Sequence, residues 1–294
     1  MVFGEIISAL SIWDRFWKWH GSRKNPATPP PETVAARFVR LFETHGVHRN
    51  QIPRFFGYEL TLKDIQNDES LLTKLDEDML SSACARFAVR REWLDGAETQ
   101  AHPYHDFYKY PKEFLRFLDS LKANNPEGNL QGVLIAPNER AWDAGALLLL
   151  QETIGHIGDK SIYRYHLCNN WTFSYWKARA YLTACVAIAW KMKIYIHGIN
   201  EPKNTIDQIA YGETLLGWQG EGIWKFGSVT WNPEDMALEP NEFLNGIDPE
   251  KENFGLKSAL KLWLELQEEG LMDAGLRIET GQLFQQELGK YSPT

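Results

Sequence analysis

Apolar residues recur at helical spacing from the start of the chain. Phe3, Ile6, Ile7, Leu10, Trp13, Phe16 and Trp17 fall three and four apart, so residues 1–24 are expected to form a helix with one apolar face. Asp14, Arg15 and Lys18 lie off that stripe, and Gly21 with Asn25-Pro26 stops it. Such a face needs a cover: the rest of the chain, a second copy, or a membrane surface. Pro29-Pro30-Pro31 then predicts a stiff linker and a boundary after residue 31. Residues 32–97 read as five short helices. Val34, Phe38, Leu41 and Phe42 stripe the first, which Gly46 ends. A second runs from about Arg49 to Phe56 and stops at Gly57. Thr61 caps a third through about Asn67. Leu75, Met79, Leu80, Ala83, Cys84 and Phe87 stripe a fourth, and Trp93 with Leu94 closes the unit. Residues 98–128 read as a connection: an extended piece at His102-Pro103-Tyr104-His105, then a helix around Phe114 to Leu121.

The pattern changes after residue 129. Gly132 to Ala136 reads as a buried strand, Ala144 to Ile157 as a helix, and Ser161 to Cys168 as an alternating strand. Tyr175 to Met192 is a nearly all-apolar helix, Lys193 to Gly198 a third strand, and Leu256 to Leu271 an amphipathic helix. Strands alternating with helices favour an α/β layer. The fold class is therefore α+β or α/β, with a five-helix bundle at 32–97 and an α/β domain at 129–294 built on a small sheet of about three strands. The latter is expected to oligomerise or to sense a ligand.

Composition narrows the function. Hydrophobic residues make up 44% and charged residues 24%, ordinary for a soluble globular protein. Twelve Trp among 294 residues point to a large aromatic core, an oligomer interface or a pocket for a flat ligand. A net charge of −8 means that any nucleic-acid contact must be local. Cys84, Cys168 and Cys185 are far apart and sit among apolar neighbours, which predicts buried free thiols, a cytoplasmic location and no zinc site. No apolar run reaches the roughly 20 residues that a spanning helix needs. The N-terminal stripe carries Glu5 and no small-residue cleavage site, so it is not read as a signal peptide.

The stretch Gly46-Val47-His48-Arg49-Asn50-Gln51-Ile52-Pro53-Arg54-Phe55-Phe56-Gly57, with Val89-Arg90-Arg91-Glu92-Trp93-Leu94 further on, carries a family pattern. Residues 46–94 resemble the helix-turn-helix of the lambda-repressor-like, or Cro/C1 (XRE), family. The family's opening places fall on Gly46, Val47, His48, Ile52, Pro53 and Gly57. Its recognition helix opens at Leu60-Thr61 if Tyr58-Glu59 are an insertion, and Ile65 takes that helix's buried place. Its closing signature falls on Ala83 to Leu94. The match covers under a fifth of the chain. The resemblance implies a DNA-binding transcription regulator that works as a homodimer on double-stranded DNA. In such a frame the third helix enters the major groove while the second crosses the phosphates. The carry-over puts Arg49 and Asn50 at phosphate, Thr61, Lys63 and Asp64 in the groove and Gln66 near it; separately, the basic cluster Arg37, Arg40, Arg49 and Arg54 offers one positive edge. Two departures stand out: Pro53 takes a place usually held by Ala, and Thr61 to Glu69 carries one base against three acids. Across 32–97 nine Lys/Arg face eleven Asp/Glu. A rival reading is a protein-contact module on a retired helix-turn-helix; a third is an enzyme with its site in 129–294.

Few constellations speak for chemistry. His166 and Cys168 share one strand face and would need a nearby acid to act as a nucleophile pair. The segment Gly212 to Trp224 is rich in Gly and Trp and reads as tight turns on an aromatic core, or as a lid over a pocket. Ligands of α/β layers bind at strand C-terminal ends. That rule gathers Asn138, Arg140, Asn169 and Asn200 as candidate ligand-binding residues. No metal, cofactor or catalytic residue is expected. The homodimer contact is assigned to the apolar faces at 3–17 and 256–271.

Overall fold

The computed structural model describes residues 32–139, 143–276 and 280–291. The expected helix at 1–24 and the linker at 29–31 lie outside them, as does Arg140. Residues 33–294 form one compact unit.

Helix α1 (Val34–Thr44) is capped by Thr33, whose side chain accepts from the Ala36 N–H, and it buries Ala35, Phe38, Leu41 and Phe42. A single 3₁₀ turn at Arg49–Gln51 leads into α2 (Ile52–Phe56). His48 and Gln51 close that turn reciprocally: the His48 ring accepts from the Asn50 N–H and the Gln51 side chain from the His48 N–H. Pro53 is tolerated because it sits in the first turn of α2, where its missing N–H has no intrahelical acceptor. Helices α3 (Asp68–Leu72), α4 (Glu77–Phe87) and α5 (Arg91–Leu94) follow. Phe38, Phe42, Phe56 and Phe87 meet at tilted or edge-on angles and form the knot of this bundle. Ile52, Ile65, Leu80 and Trp93 are buried around it, and Phe55 is half-buried.

The third helix is not where the spacing put it. Residues 61–67 form turns, and α3 starts only at Asp68. Thr61 and Asp64 hydrogen-bond each other as at a helix start. The side chain of Asn67 then accepts from the Ser70 N–H and begins a new helix instead. Asn competes with the helical backbone in this way, which is why it favours caps over interiors.

The sheet has five strands rather than three: β1 (Tyr104–Asp106), β2 (Leu130–Pro137), β3 (Gly145–Ile157), β4 (Lys160–Thr172) and β5 (Ile196–Glu201). Their order is β1-β4-β3-β2-β5. The central three are an antiparallel meander; β1 joins β4 in parallel and β5 joins β2 in parallel. Four strands thus run the same way and end at one edge. Residues 144–157, expected to be helical, are mostly β3. Leu147 to Leu150 are all buried because β3 lies mid-sheet with both faces covered, which erases the alternation that marks a strand.

One face packs on α6 (Pro111–Asn124), the nearly all-buried α7 (Trp176–Lys191), α11 (Phe254–Glu268) and α12 (Gly281–Gly289). Between α7 and α11, α8 (Lys203–Ala210), α9 (Asp235–Leu238) and α10 (Pro240–Leu244) intervene. Leu260, Trp263 and Leu266 of α11 are buried in that core, Trp263 stacked flat on Phe284. The stripe at 256–271 is therefore covered by its own chain and is not an open dimer face. The other sheet face carries Gln151, Tyr165 and Leu167 under α8 and the loop 211–227. The bundle packs on the β3–β4 hairpin: Ile162 belongs to its core, Ile154 and Ile157 pack against that core, and Arg164 donates to the Ala85 carbonyl of α4. No helix among the described residues is long and apolar enough to cross a membrane.

Candidate interaction surface and strand-edge cleft

The bundle divides the seven residues assigned to DNA. Arg49 points inward: Nε donates to the Ile65 carbonyl at 2.5 Å and Nη2 to Asp68 at 2.7 Å. Its charge is answered within the 61–68 segment that a recognition helix would occupy. Arg37 donates to the Trp93 carbonyl at 2.9 Å, with its guanidinium 5.8 Å from the centre of the Trp93 ring. Asn50, Arg54, Thr61, Lys63 and Gln66 are exposed. The Thr61 hydroxyl donates to Asp64, and this bond, with the Thr61 N–H, holds the Asp64 carboxyl below its ordinary value. Lys63 borders a shallow hollow with Asp64, Glu69, Ser70 and Thr73.

The segment 58–78 also exposes apolar groups. Tyr58 is 43% exposed, Leu62 64% and Leu72 53%, well above what single core-facing positions of a bundle show. Tyr58 is braced by stacking on Phe56 and by a hydrogen bond between its hydroxyl and that of Ser82. From Tyr58 to Asp78 two lysines stand against seven acids. A face that is apolar and acidic repels phosphate and attracts cationic, amphipathic surfaces.

The strand-end rule brings together part of its set. Asn138 and Asn200 sit side by side where β2 and β5 end: the Asn138 N–H donates to the Glu201 carbonyl at 3.0 Å, and the Asn200 amide donates to Pro137 and accepts from Thr230. Asn169 is elsewhere, buried under α8, where its Nδ2 donates to the Ala210 carbonyl at 2.7 Å. It secures the end of α8 and does not join the other two. Beside β5 lies a cleft of about 320 Å³, lined by Glu201, Gln208 and Ile209 and by Trp218, Lys225 and Phe226 of the loop 211–227. The Gly/Trp segment makes the tight turns on an aromatic core that its composition suggested, with Trp218 packed on Tyr165, and it also lines this cleft. Lys225, Phe226 and Gln208 escaped the sequence reading. The only signal was aromatic residues flanking a lysine at 224–226, which no periodicity supports.

The His166 and Cys168 strand face does have an acid, but one wholly occupied. Glu152 accepts from Asn125, from Nε and Nη2 of Arg164, and from His166, at 2.6 to 2.9 Å. Burial pushes its pKa up, yet these hydrogen bonds outweigh burial and hold it at about 2. Burial raises the Cys168 thiol far above its ordinary value, so it stays protonated and inert. His45 and His102 are buried rings. His102 receives the Leu216 N–H on Nε2 at 2.9 Å and faces the Ala88 carbonyl with Nδ1. The His45 Nδ1 donates to the Leu41 carbonyl at 2.7 Å. Compared with protein-family models, with curated proteins and with solved structures, the chain matches none.

Proposed function

We propose that the bundle at 32–97 is a protein-contact module, and that its face from Tyr58 to Asp78 receives a basic, amphipathic segment of a partner. The observation that carries this reading is the fate of Arg49. In a DNA reader that position offers its charge to phosphate; here Asp68 and the Ile65 carbonyl hold it. Leu62 and Leu72, exposed in the same segment, have no role on a duplex, but they are the apolar anchors that a protein contact needs. The acids around them select a cationic partner and set the register of contact.

A second reading has its own support. Asn50, Arg54, Lys63 and Gln66 remain exposed, and a duplex regulator would use them. Two measurements separate the two. Fluorescence anisotropy with a labelled duplex at ~20 mM salt, where phosphate attraction is strongest, is expected to give no binding. A basic amphipathic helical peptide is expected to bind, more weakly as salt rises, and to be lost with Leu62→Asp and Leu72→Asp. Duplex binding that Arg54→Ala and Lys63→Ala abolish would put the regulator reading in its place.

A further inference from the structure

The cleft beside β5 has a chemistry of its own, independent of the bundle's contact. We propose that it binds a free α-amino acid with an apolar side chain. The walls present one charge of each sign. Glu201 ends β5 and Lys225 lines the same cleft, and neither is in an ion pair with another described residue. The Lys225 ammonium rests over the aromatic wall, 5.0 Å from the Trp218 ring centre and 5.6 Å from that of Phe226. An anion reaching that ammonium also meets the rings. Trp218 and Phe226 pack edge to face at 5.1 Å, and with Ile209 they make the apolar part of the cleft.

Ligand classes can be sorted by what each leaves unanswered. An apolar acid pairs with Lys225 and presses Glu201 against carbon. An apolar amine does the reverse. A nucleotide brings several negative charges to one lysine and one carboxylate. A zwitterion answers both side chains, and an apolar side chain fills the space between the rings and Ile209. A zwitterion gains an ion pair at each side chain, whereas each single-charge class gains only one, so the zwitterion is favoured over them. The volume lies at the small end of ligand sites, which fits a molecule of this size.

The backbone marks the same wall. Trp218 and Gln219 both hold positive φ, 44° and 55°, a conformation bulky residues rarely adopt. It lets the Trp218 ring pack against Tyr165 on one side at 5.1 Å while lining the cleft on the other.

Titration calorimetry on the full chain tests the proposal. The probes are L-phenylalanine and L-leucine, with phenethylamine and 3-phenylpropionate as relatives lacking one charge. Both amino acids are expected to bind saturably. Each single-charge relative should bind at least about tenfold more weakly, the change expected for losing one ion pair worth about 1.4 kcal/mol. Glu201→Gln and Lys225→Met should each weaken L-phenylalanine by a similar factor while leaving the ligand-free melting temperature in place. Absence of saturable heat with both amino acids overturns the proposal. So does 3-phenylpropionate or phenethylamine binding as tightly as phenylalanine, or unchanged affinity in both variants.

Discussion

His45 and His102 serve the fold only as neutral rings. Burial lowers the pKa of His45 from 6.5 to about 4; burial and then the nearby His45 lower that of His102 to about 3. In the unfolded chain both take a proton near 6.5. Between those limits the unfolded state binds more protons, so stability falls as the pH drops. The stability these rings supply is complete above 6.5 and declines toward pH 4. For His45 alone the loss is roughly 3 kcal/mol. Glu152 acts in a separate, lower window: its contribution is full above the ordinary carboxylate range and disappears as the pH falls through about 2. A urea midpoint measured across pH should therefore drop well before carboxylates titrate. Stability level from about pH 7 to about pH 4 would contradict the assignment.

The segment from Thr61 to Leu72 shows how one residue redirects an element. The Thr61–Asp64 pair starts a turn, but Asn67 caps a different helix. Asn67→Ala should remove that cap and cost about 1 kcal/mol, read as a lowered denaturation midpoint with the strands intact by circular dichroism. An unchanged midpoint would mean that α3 is held by packing of Leu71 alone. The stripes of α1 and α4 were legible because Phe38, Phe42, Leu80 and Phe87 keep helical spacing and lie on one side; their caps, Thr33 and Asp76, were not read. The strand at Gly145–Ile157 was not, because Leu147 to Leu150 are buried on both faces and carry no period of either kind. The pairing of Asn138 with Asn200 follows from where the parallel strands end. Lys225 and Phe226 come from a loop whose position depends on tertiary packing, and no local pattern marks them.

That loop ties the molecule together. Gly212 accepts the Ala101 and His102 N–H groups, Leu216 donates to His102, and Ile223 donates to Gln151 at 2.7 Å. Lys160, at the hairpin tip, donates to the carbonyls of both Gly46 and Gln219. At Gly217 an added Cβ would lie 2.4 Å from the Thr44 carbonyl oxygen, on a backbone with φ of 154°. Gly217→Ala must therefore push the loop off the end of α1. Expected is a loss of about 2 kcal/mol or more in equilibrium urea unfolding, together with faster proteolysis in 211–227. Wild-type stability would show that the loop has room to retreat.

The way the bundle is finished also bears on how the chain is made. Translation delivers residues 33–97 first, and domains generally fold in the order of their synthesis. Yet the bundle's core includes Ile162, and the Nε2 of His102 takes its N–H from Leu216. The bundle thus leaves the ribosome one core member short. Its core is complete only when the hairpin has emerged, and the His102 Nε2 is answered only when the glycine-rich loop follows, more than a hundred residues after His102.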